Sequence, residues 1–399
     1  MRFGPAVALG MALGALGLAF GAVSPACVVY DASLLVKDAG VDADAGPCRA
    51  GMTLCSGSCV DLQTSATSCG ACGHACKNQD CTGGLCIPDV LASSLPGPRD
   101  ILVDDTYVYF GNHDSVSTQR VGKDGSGLVL FGGPQVFPGQ MVLSNGQLYW
   151  TNDSNLKGVL LSMATAILPS DVPNKLAVDL AGPAGLAVVG GDAFIAMGAA
   201  TNASGNGCAT SAYVGQIVRC PVGGCQVPAC GGGGPIAVAT GQSAPHALAA
   251  DAKAMVWATD DGTIHTCPTP GCGTGPTPLI TGQSGVGAIV LDNANVYFTT
   301  ATSVASCDRA SCTSPTALAS GLKAPRRIAL SPEGSTIYFT VEDTLQRCTL
   351  PSCAGGPVVL ARKLPAPWGL AVDASYVYVA CEGTTGSTSV DGSIVAVSR

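Results

Sequence analysis

The chain has 399 residues, enough for two domains or for one large domain with attachments. Its net charge is −8, and only 12% of its residues are charged, with Lys and Arg scattered along the sequence. This charge disfavours direct binding to nucleic acid or to anionic lipid. The abundance of Gly (53) and Pro (26) predicts many turns and short strands rather than long helices.

Residues 1–26 predict an export signal. A short basic region at Arg2 is followed by an apolar run from Pro5 to Val23 and then by small residues. Cys27 comes next, so the stretch also resembles a bacterial lipoprotein signal, which implies acylation of Cys27. An ordinary cleaved signal peptide remains the alternative. Both alternatives predict an exported protein, which is an outer-membrane lipoprotein or a periplasmic or extracellular protein. We expect it to contact a membrane only through a lipid anchor on Cys27.

Residues 27–47 are acidic, small and aperiodic, which predicts a flexible tether. Residues 48–86 predict a separate disulfide-rich module, because they hold eight cysteines and almost no large apolar residues. Eight cysteines allow 105 pairings, and the sequence does not choose among them. The stretch CGACGHAC (Cys69 to Cys76) also suggests a zinc site, but thiols of an exported chain are expected to be oxidised.

Residues 87–399 predict a repeat domain with seven units of about 40 residues. Each unit has a small apolar strand, a turn rich in Asp, Asn and Gly, an aromatic strand and two further strands. The units begin at Pro98, Pro138, Pro183, Pro245, Val286, Pro325 and Pro367. Four strands per repeat of this length are typical of a β-propeller blade.

The seventh unit lacks a fourth strand, and the segment PDVLASSLPGP (Pro88 to Pro98) matches the fourth-strand ends of other units. We therefore expect an N-terminal strand to complete the last blade and close the ring, which removes exposed sheet edges. The predicted fold is all-β: a seven-bladed β-propeller closed by an N-terminal strand, with a small disulfide-rich module in front.

The tetrapeptide YWTN (Tyr149 to Asn152) and the looser variants VYFT, IYFT and VWATD resemble the repeats of YWTD and NHL-type propellers. The CGACGHAC module followed by such a propeller is similar to exported proteins of myxobacterial type. The resemblance implies an envelope or extracellular location, and it implies no established chemistry.

Four cysteine pairs with the spacing C-x₄-C lie between the third and fourth strands of their units, where a hairpin turn allows a disulfide. These pairs are Cys220 with Cys225, Cys267 with Cys272, Cys307 with Cys312, and Cys348 with Cys353. Two further cysteines, Cys208 and Cys230, lie in the insertion of the third unit and are predicted to pair with each other. Cys381 is predicted to be a buried free thiol, with a bond to an unacylated Cys27 as the alternative.

The residue after each repeat proline is expected to lie in a loop that enters an innermost strand, at the mouth of the central channel. These positions, with one adjacent residue, hold Arg99, His246, Arg326, Arg327 and Trp368. The loops between second and third strands are expected on the same face and add His113 and Asp153, with Asn112, Asp114, Asn152, Asp260 and Asp261. Arg, His and Trp around a concave mouth predict a binding surface.

No catalytic motif, metal site or cofactor site is predicted. Asp104, Asp251, Asp292 and Asp373, which follow the first strands, are expected to be turn residues whose side chains bond the following backbone. The predicted function is that of an exported, monomeric protein that binds a protein, a peptide or an envelope polysaccharide. The alternatives are a mouth enzyme of the lyase or lactonase type, built around a divalent ion, and a structural surface protein.

Overall fold

A computed structural model describes residues 48–399, except residues 79, 116, 134–137, 154–157, 168–170, 199–214, 226–234 and 385–389. The predicted signal, the tether and Cys27 therefore lie outside the described residues. All described strands belong to one compact unit, Gly51–Arg399. Within the described residues there is no helix with the length and apolar character needed to cross a bilayer.

The strands of the described residues are, in chain order, β1 (Thr53–Cys55), β2 (Ser58–Val60), β3 (Cys81–Thr82), β4 (Leu85–Cys86), β5 (Asp89–Leu95), β6 (Pro98–Val103), β7 (Tyr107–Asn112), β8 (Ser117–Gly122), β9 (Val129–Phe131), β10 (Pro138–Ser144), β11 (Gln147–Asn152), β12 (Gly158–Ala164), β13 (Asn174–Leu180), β14 (Pro183–Val189), β15 (Asp192–Met197), β16 (Gly215–Pro221), β17 (Ile236–Gln242), β18 (His246–Ala250), β19 (Ala254–Ala258), β20 (Ile264–Pro268), β21 (Thr277–Ile280), β22 (Ile289–Leu291), β23 (Asn295–Thr299), β24 (Ser303–Asp308), β25 (Thr316–Ser320), β26 (Ile328–Leu330), β27 (Thr336–Val341), β28 (Thr344–Thr349), β29 (Val358–Ala361), β30 (Pro367–Val372), β31 (Tyr376–Cys381) and β32 (Gly392–Ser398).

Strands β5 to β32 form seven antiparallel four-stranded sheets, which are the blades of a propeller. Blades 1 to 6 each use four consecutive strands, from β6–β9 to β26–β29, and the first strands of successive blades contact one another around a central channel. Blade 7 has the order β30-β31-β32-β5, with Gly392 opposite Leu95 and Ile394 opposite Ala92. The predicted seven blades and the predicted closure by an N-terminal strand are both confirmed.

Alternation along the second strands builds the core between blades. In β11, Tyr149 packs in a cluster with residues of blade 3, such as Ile195, whereas Trp150 packs in a cluster with Tyr109 of blade 1. Successive side chains of a strand point to opposite faces of the sheet, so two adjacent aromatics serve two different blade interfaces. The YWTN stretch is therefore a packing element of the fold.

The Asp residues after the first strands are turn residues, as predicted. Asp104 Oδ1 accepts hydrogen bonds from the backbone N–H groups of Thr106 and Tyr107, both at 2.7 Å, and Oδ2 accepts one from the Tyr109 hydroxyl. Asp292 and Asp373 repeat this pattern in blades 5 and 7. Such turns fix the tight connection between the first and second strands.

Disulfides hold the N-terminal module, as its composition predicted. The bonds are Cys55–Cys72, Cys69–Cys81 and Cys76–Cys86, and Cys48 and Cys59 are also disulfide-bonded. This concentration of disulfides indicates an oxidising, exported environment.

The module contacts the propeller through Lys77. Its Nζ lies 2.5 Å from Asp89 Oδ2 at the start of β5 and donates to the carbonyl oxygen of Lys123 at 2.8 Å. The same ammonium group lies 5.3 Å from the ring centroid of Tyr376 in blade 7. The module is thereby joined to the seam at which the ring closes.

All four predicted C-x₄-C disulfides are present in the hairpins between third and fourth strands, in blades 3, 4, 5 and 6. Each closes a short loop, which contributes about 2 kcal/mol in the chain-entropy model. The predicted bond between Cys208 and Cys230 lies outside the described residues. Cys381 is a buried free thiol, as expected.

Candidate functional site

One face of the propeller gathers the residues predicted to form a site. Pro98 pairs with Asn112, Pro138 with Asn152, and Pro367 with Cys381. The start of each first strand therefore lies beside the end of the second strand, so the loops entering first strands and the loops leaving second strands open on one face. We call this the mouth face.

The structure corrects the expected position of three residues. His246 is the first residue of β18, and Arg99 and Trp368 lie inside the first strands of blades 1 and 7, rather than in the loops before them. In both strands the register shifts directly after the repeat proline, between Pro98 and Asp100 and between Pro367 and Gly369. The strand begins at the proline, and Arg99 and Trp368 occupy its irregular first step.

Three of the predicted residues meet around one ring. The guanidinium carbon atoms of Arg99 and Arg326 lie 4.9 Å and 4.4 Å from the centroid of the Trp368 ring. These distances are within the range of cation–π attraction. Blades 1, 6 and 7 are thus joined at the mouth by Arg99, Arg326, Trp368 and Glu382, which we call the Arg–Trp cluster.

Glu382 is the acid of the cluster, and it was not among the residues predicted from the sequence. Its side chain is only 1% exposed. Its Oε1 accepts two hydrogen bonds from Arg99, one from Nε at 2.7 Å and one from Nη2. Its Oε2 lies 3.8 Å from Arg326 Nη1. A buried carboxylate with two guanidinium partners holds both arginines in place.

Arg326 keeps an unused donor in this arrangement. Its Nη1 atom is buried and has no hydrogen-bond partner among the described residues. The separation of 3.8 Å from Glu382 is an ion-pair distance and exceeds a hydrogen bond. A buried N–H group without a hydrogen-bond partner costs free energy, and the attraction to the Glu382 carboxylate offsets part of that cost.

Arg327 lies beside a small channel cavity rather than in the Arg–Trp cluster. The cavity has a volume of about 170 Å³ and is lined by residues of six first-strand segments. Its polar lining consists of Asp100, Gln140 and Arg327. Arg327 Nη2 lies 3.9 Å from Asp100 Oδ1, while Asp100 Oδ2 accepts a hydrogen bond from the backbone of Met141. Burial raises the pKa of Asp100, although the Arg327 charge opposes this shift.

The remaining predicted residues occupy separate places on the mouth face. His246 bridges blades 4 and 5, since its Nε2 lies 2.8 Å from the Val286 carbonyl oxygen and its Nδ1 lies 3.4 Å from Asp260 Oδ1. His113 Nδ1 lies 3.3 Å from Asp114 Oδ1 in the corresponding loop of blade 1. Asp153 is exposed just beyond the end of β11. The structure does not bring these residues into the Arg–Trp cluster.

The Arg–Trp cluster and Arg327 form a basic patch of the mouth face on an acidic chain. It gathers three arginines, Arg99, Arg326 and Arg327, while the chain carries a net charge of −8. The acids nearest to them, Glu382 and Asp100, have side chains only 1% and 15% exposed. Guanidinium groups therefore dominate what a ligand meets at this position.

The zinc interpretation of the N-terminal module finds no support. Among the described residues, the only His, Cys, Asp or Glu side chains grouped closely enough to hold a metal ion are Cys69, Cys76 and Cys86. All three are in disulfides, so they offer no thiolate to a metal.

No family model matches the chain, and no curated protein matches it significantly. Several solved structures share its fold. The WD40 propeller domain of Doa1 has a TM-score of 0.54 and 13% identity, over 78% of this chain and 97% of that chain. Streptogramin B lyase has a TM-score of 0.52 and 12% identity over 78% and 97%, and the computationally designed Ika8 protein has 0.52 and 13% over 78% and 98%. At these identities the likeness shows a shared propeller fold alone.

Proposed function

We propose that the chain is an exported binding protein of the cell envelope or the extracellular space, and that it binds a protein, a peptide or an envelope polysaccharide at its mouth face. The observation that carries this proposal is the Arg–Trp cluster, in which a buried acid holds two guanidiniums against one aromatic ring. Export is supported by the disulfides of the module and of four blades.

The cluster is prepared for binding before a ligand arrives. Stacking on Trp368 and pairing with Glu382 restrict Arg99 and Arg326, so less side-chain entropy is lost when a partner binds. Trp and Arg are also the residues that most often dominate the binding energy of interfaces. The Arg326 side chain is 38% exposed, which leaves guanidinium surface for a partner with acceptor groups.

The lyase or lactonase alternative would need carboxylates or histidines that converge on a divalent ion. In the described part of the mouth face, Glu382 is bound to Arg99, Asp100 to the Met141 backbone, and His246 lies within hydrogen-bond distance of the Val286 carbonyl oxygen. These groups are engaged at separate places, and no observation favours an enzyme over a binder.

The test compares variants of the mouth face with a charge variant of the opposite face. Trp368→Ala and Arg326→Ala alter the Arg–Trp cluster, whereas Lys253→Ala removes an exposed cation from the turn between β18 and β19. Biolayer interferometry would measure the binding of each protein to a peptide array, to lipopolysaccharide and to polygalacturonate. Circular dichroism would confirm that each variant is folded.

We expect at least one of these probes to bind the wild-type protein. The two cluster variants should bind it at least about tenfold more weakly, as is usual for anchor residues of an interface, while Lys253→Ala should bind like the wild type. The proposal is wrong if the wild type binds no probe, or if the cluster variants bind every probe as the wild type does.

A further inference from the structure

We infer that the mouth face recognises the carboxyl terminus of a polypeptide that ends in an aliphatic residue. The inference rests on the proposed binding function and names its ligand chemistry. It comes from two features of the channel cavity: its apolar lining from six first-strand segments, and the Arg327 guanidinium that lines it.

The cavity favours one small apolar group. Its apolar lining comes from the first strands of blades 1, 2, 4, 5, 6 and 7 and includes Ile101, Met141, Leu248, Ile289, Ile328 and Leu370. A volume of about 170 Å³ is below the range of pockets for larger organic ligands, but an apolar cavity of about 150 Å³ can hold a group the size of benzene. One aliphatic side chain fits such a space, and a run of sugar rings does not.

The rim of the cavity favours a carboxylate. Arg327 lines the cavity, and its nearest acid, Asp100, is 3.9 Å away, which is too far for a hydrogen bond. Planar guanidiniums bind carboxylates through paired, charge-assisted hydrogen bonds. A carboxylate joined to an aliphatic side chain is the C-terminal residue of a peptide, and capture of chain termini is a recurring mode of peptide recognition.

The Arg–Trp cluster disfavours the polysaccharide as the ligand of this position. Sugar rings bind aromatic residues by stacking on the ring, but Trp368 already carries the guanidiniums of Arg99 and Arg326 at 4.9 Å and 4.4 Å from its centroid. The cluster therefore presents charge and hydrogen-bond donors at this point rather than a free aromatic face.

The test uses the full chain and matched peptides. Fluorescence anisotropy would measure the binding of an N-terminally labelled hexapeptide ending in leucine, with a free carboxylate or with a C-terminal amide. A third peptide ends in aspartate and tests the cavity, and polygalacturonate serves as the polysaccharide probe. The proteins are the wild type, Arg326→Met, Arg327→Met and the control Lys253→Met. Arg327→Lys keeps the charge if Arg327→Met fails to fold.

The wild type should bind the free acid at least about tenfold more tightly than the amide, because charge-assisted hydrogen bonds to the carboxylate are lost in the amide. That ratio should fall towards one in Arg327→Met and stay unchanged in Arg326→Met, whose side chain lies in the Arg–Trp cluster, and in Lys253→Met. The leucine peptide should also bind more tightly than the aspartate peptide.

The inference is overturned if the acid and the amide bind the wild type equally, or if the ratio survives in Arg327→Met. Binding of polygalacturonate alone, lost in Trp368→Ala, would also overturn it while leaving the proposed binding function intact. The proposed function itself falls only when mouth-face substitutions change the binding of no probe.

Discussion

The energetic role of Glu382 gives a sharp prediction about the Arg–Trp cluster. Removal of one partner of a buried ion pair costs about 3–5 kcal/mol, because the other charge is left without its partner. Glu382→Leu leaves Arg99 and Arg326, whose side chains are 29% and 38% exposed and so regain part of their hydration. We therefore expect this variant to lose about 3 kcal/mol of unfolding free energy, the lower end of the range.

Arg99→Met should lower the free energy of unfolding by at least as much as Glu382→Leu does. It leaves a carboxylate that is 1% exposed, with Arg326 Nη1 at 3.8 Å as its nearest cation. The double variant replaces both charges with apolar groups, which is often close to neutral for a buried pair. The double variant should therefore be less destabilised than the sum of the two single variants by at least about 2 kcal/mol.

Urea unfolding followed by circular dichroism, with the disulfides intact, measures each free energy. The slope of the free energy against urea should agree among the four proteins, so that differences report the native pair. A double variant whose loss equals the sum of the single losses within about 0.5 kcal/mol would refute the coupling of Arg99 to Glu382.

Gly369→Ala should lower the free energy of unfolding, measured with urea, by about 1–3 kcal/mol, because the new methyl group would overlap the Arg99 carbonyl oxygen. In the control Gly223→Ala the new methyl group meets no atom within 4 Å, so this variant should be close to neutral. Equal losses in the two variants would contradict the close approach at Gly369. Cys381 is fully buried, and burial raises the pKa of its thiol to about 12. Iodoacetamide at about pH 8 should therefore label Cys381 only after denaturation, which peptide mass spectrometry measures. Labelling of the native protein would show that the thiol is accessible. Hydrogen bonds from Arg309 hold the pKa of Asp251 below the usual aspartate value of about 3.9. The ionised carboxylate therefore stabilises the fold above about pH 4, and this stabilisation is lost as the pH falls through the pKa of the folded state. The unfolding free energy of Asp251→Asn should therefore fall less between about pH 4 and pH 2 than that of the wild type, and parallel pH curves would count against this role.

The fold was predictable because its determinants are local and repeated. The spacing of the repeat prolines revealed seven units, and the likeness of Pro88–Pro98 to other fourth-strand ends revealed how the ring closes. The C-x₄-C spacing was equally informative, since each pair spans a single hairpin turn. Patterns of this kind depend only on neighbours along the chain.

The candidate site was predictable only in part, because its key contact joins distant blades. Arg99 and Glu382 are separated by 283 positions, and nothing in the sequence near Glu382 marks it as their meeting point. A signal did exist: Glu382 has the same register after its second strand as His113 and Asp153, which the sequence did select. Arg327 lies at the channel cavity, and its separation from the Arg–Trp cluster depends on the tertiary structure.

The most direct test of the binding face is a crystal structure of the complex with whichever probe binds in the interferometry experiment. We predict density for the ligand at the mouth face, with an acceptor atom within hydrogen-bond distance of the exposed part of the Arg326 guanidinium. A ligand seated elsewhere, with Arg99, Arg326 and Trp368 untouched, would contradict the proposed binding site.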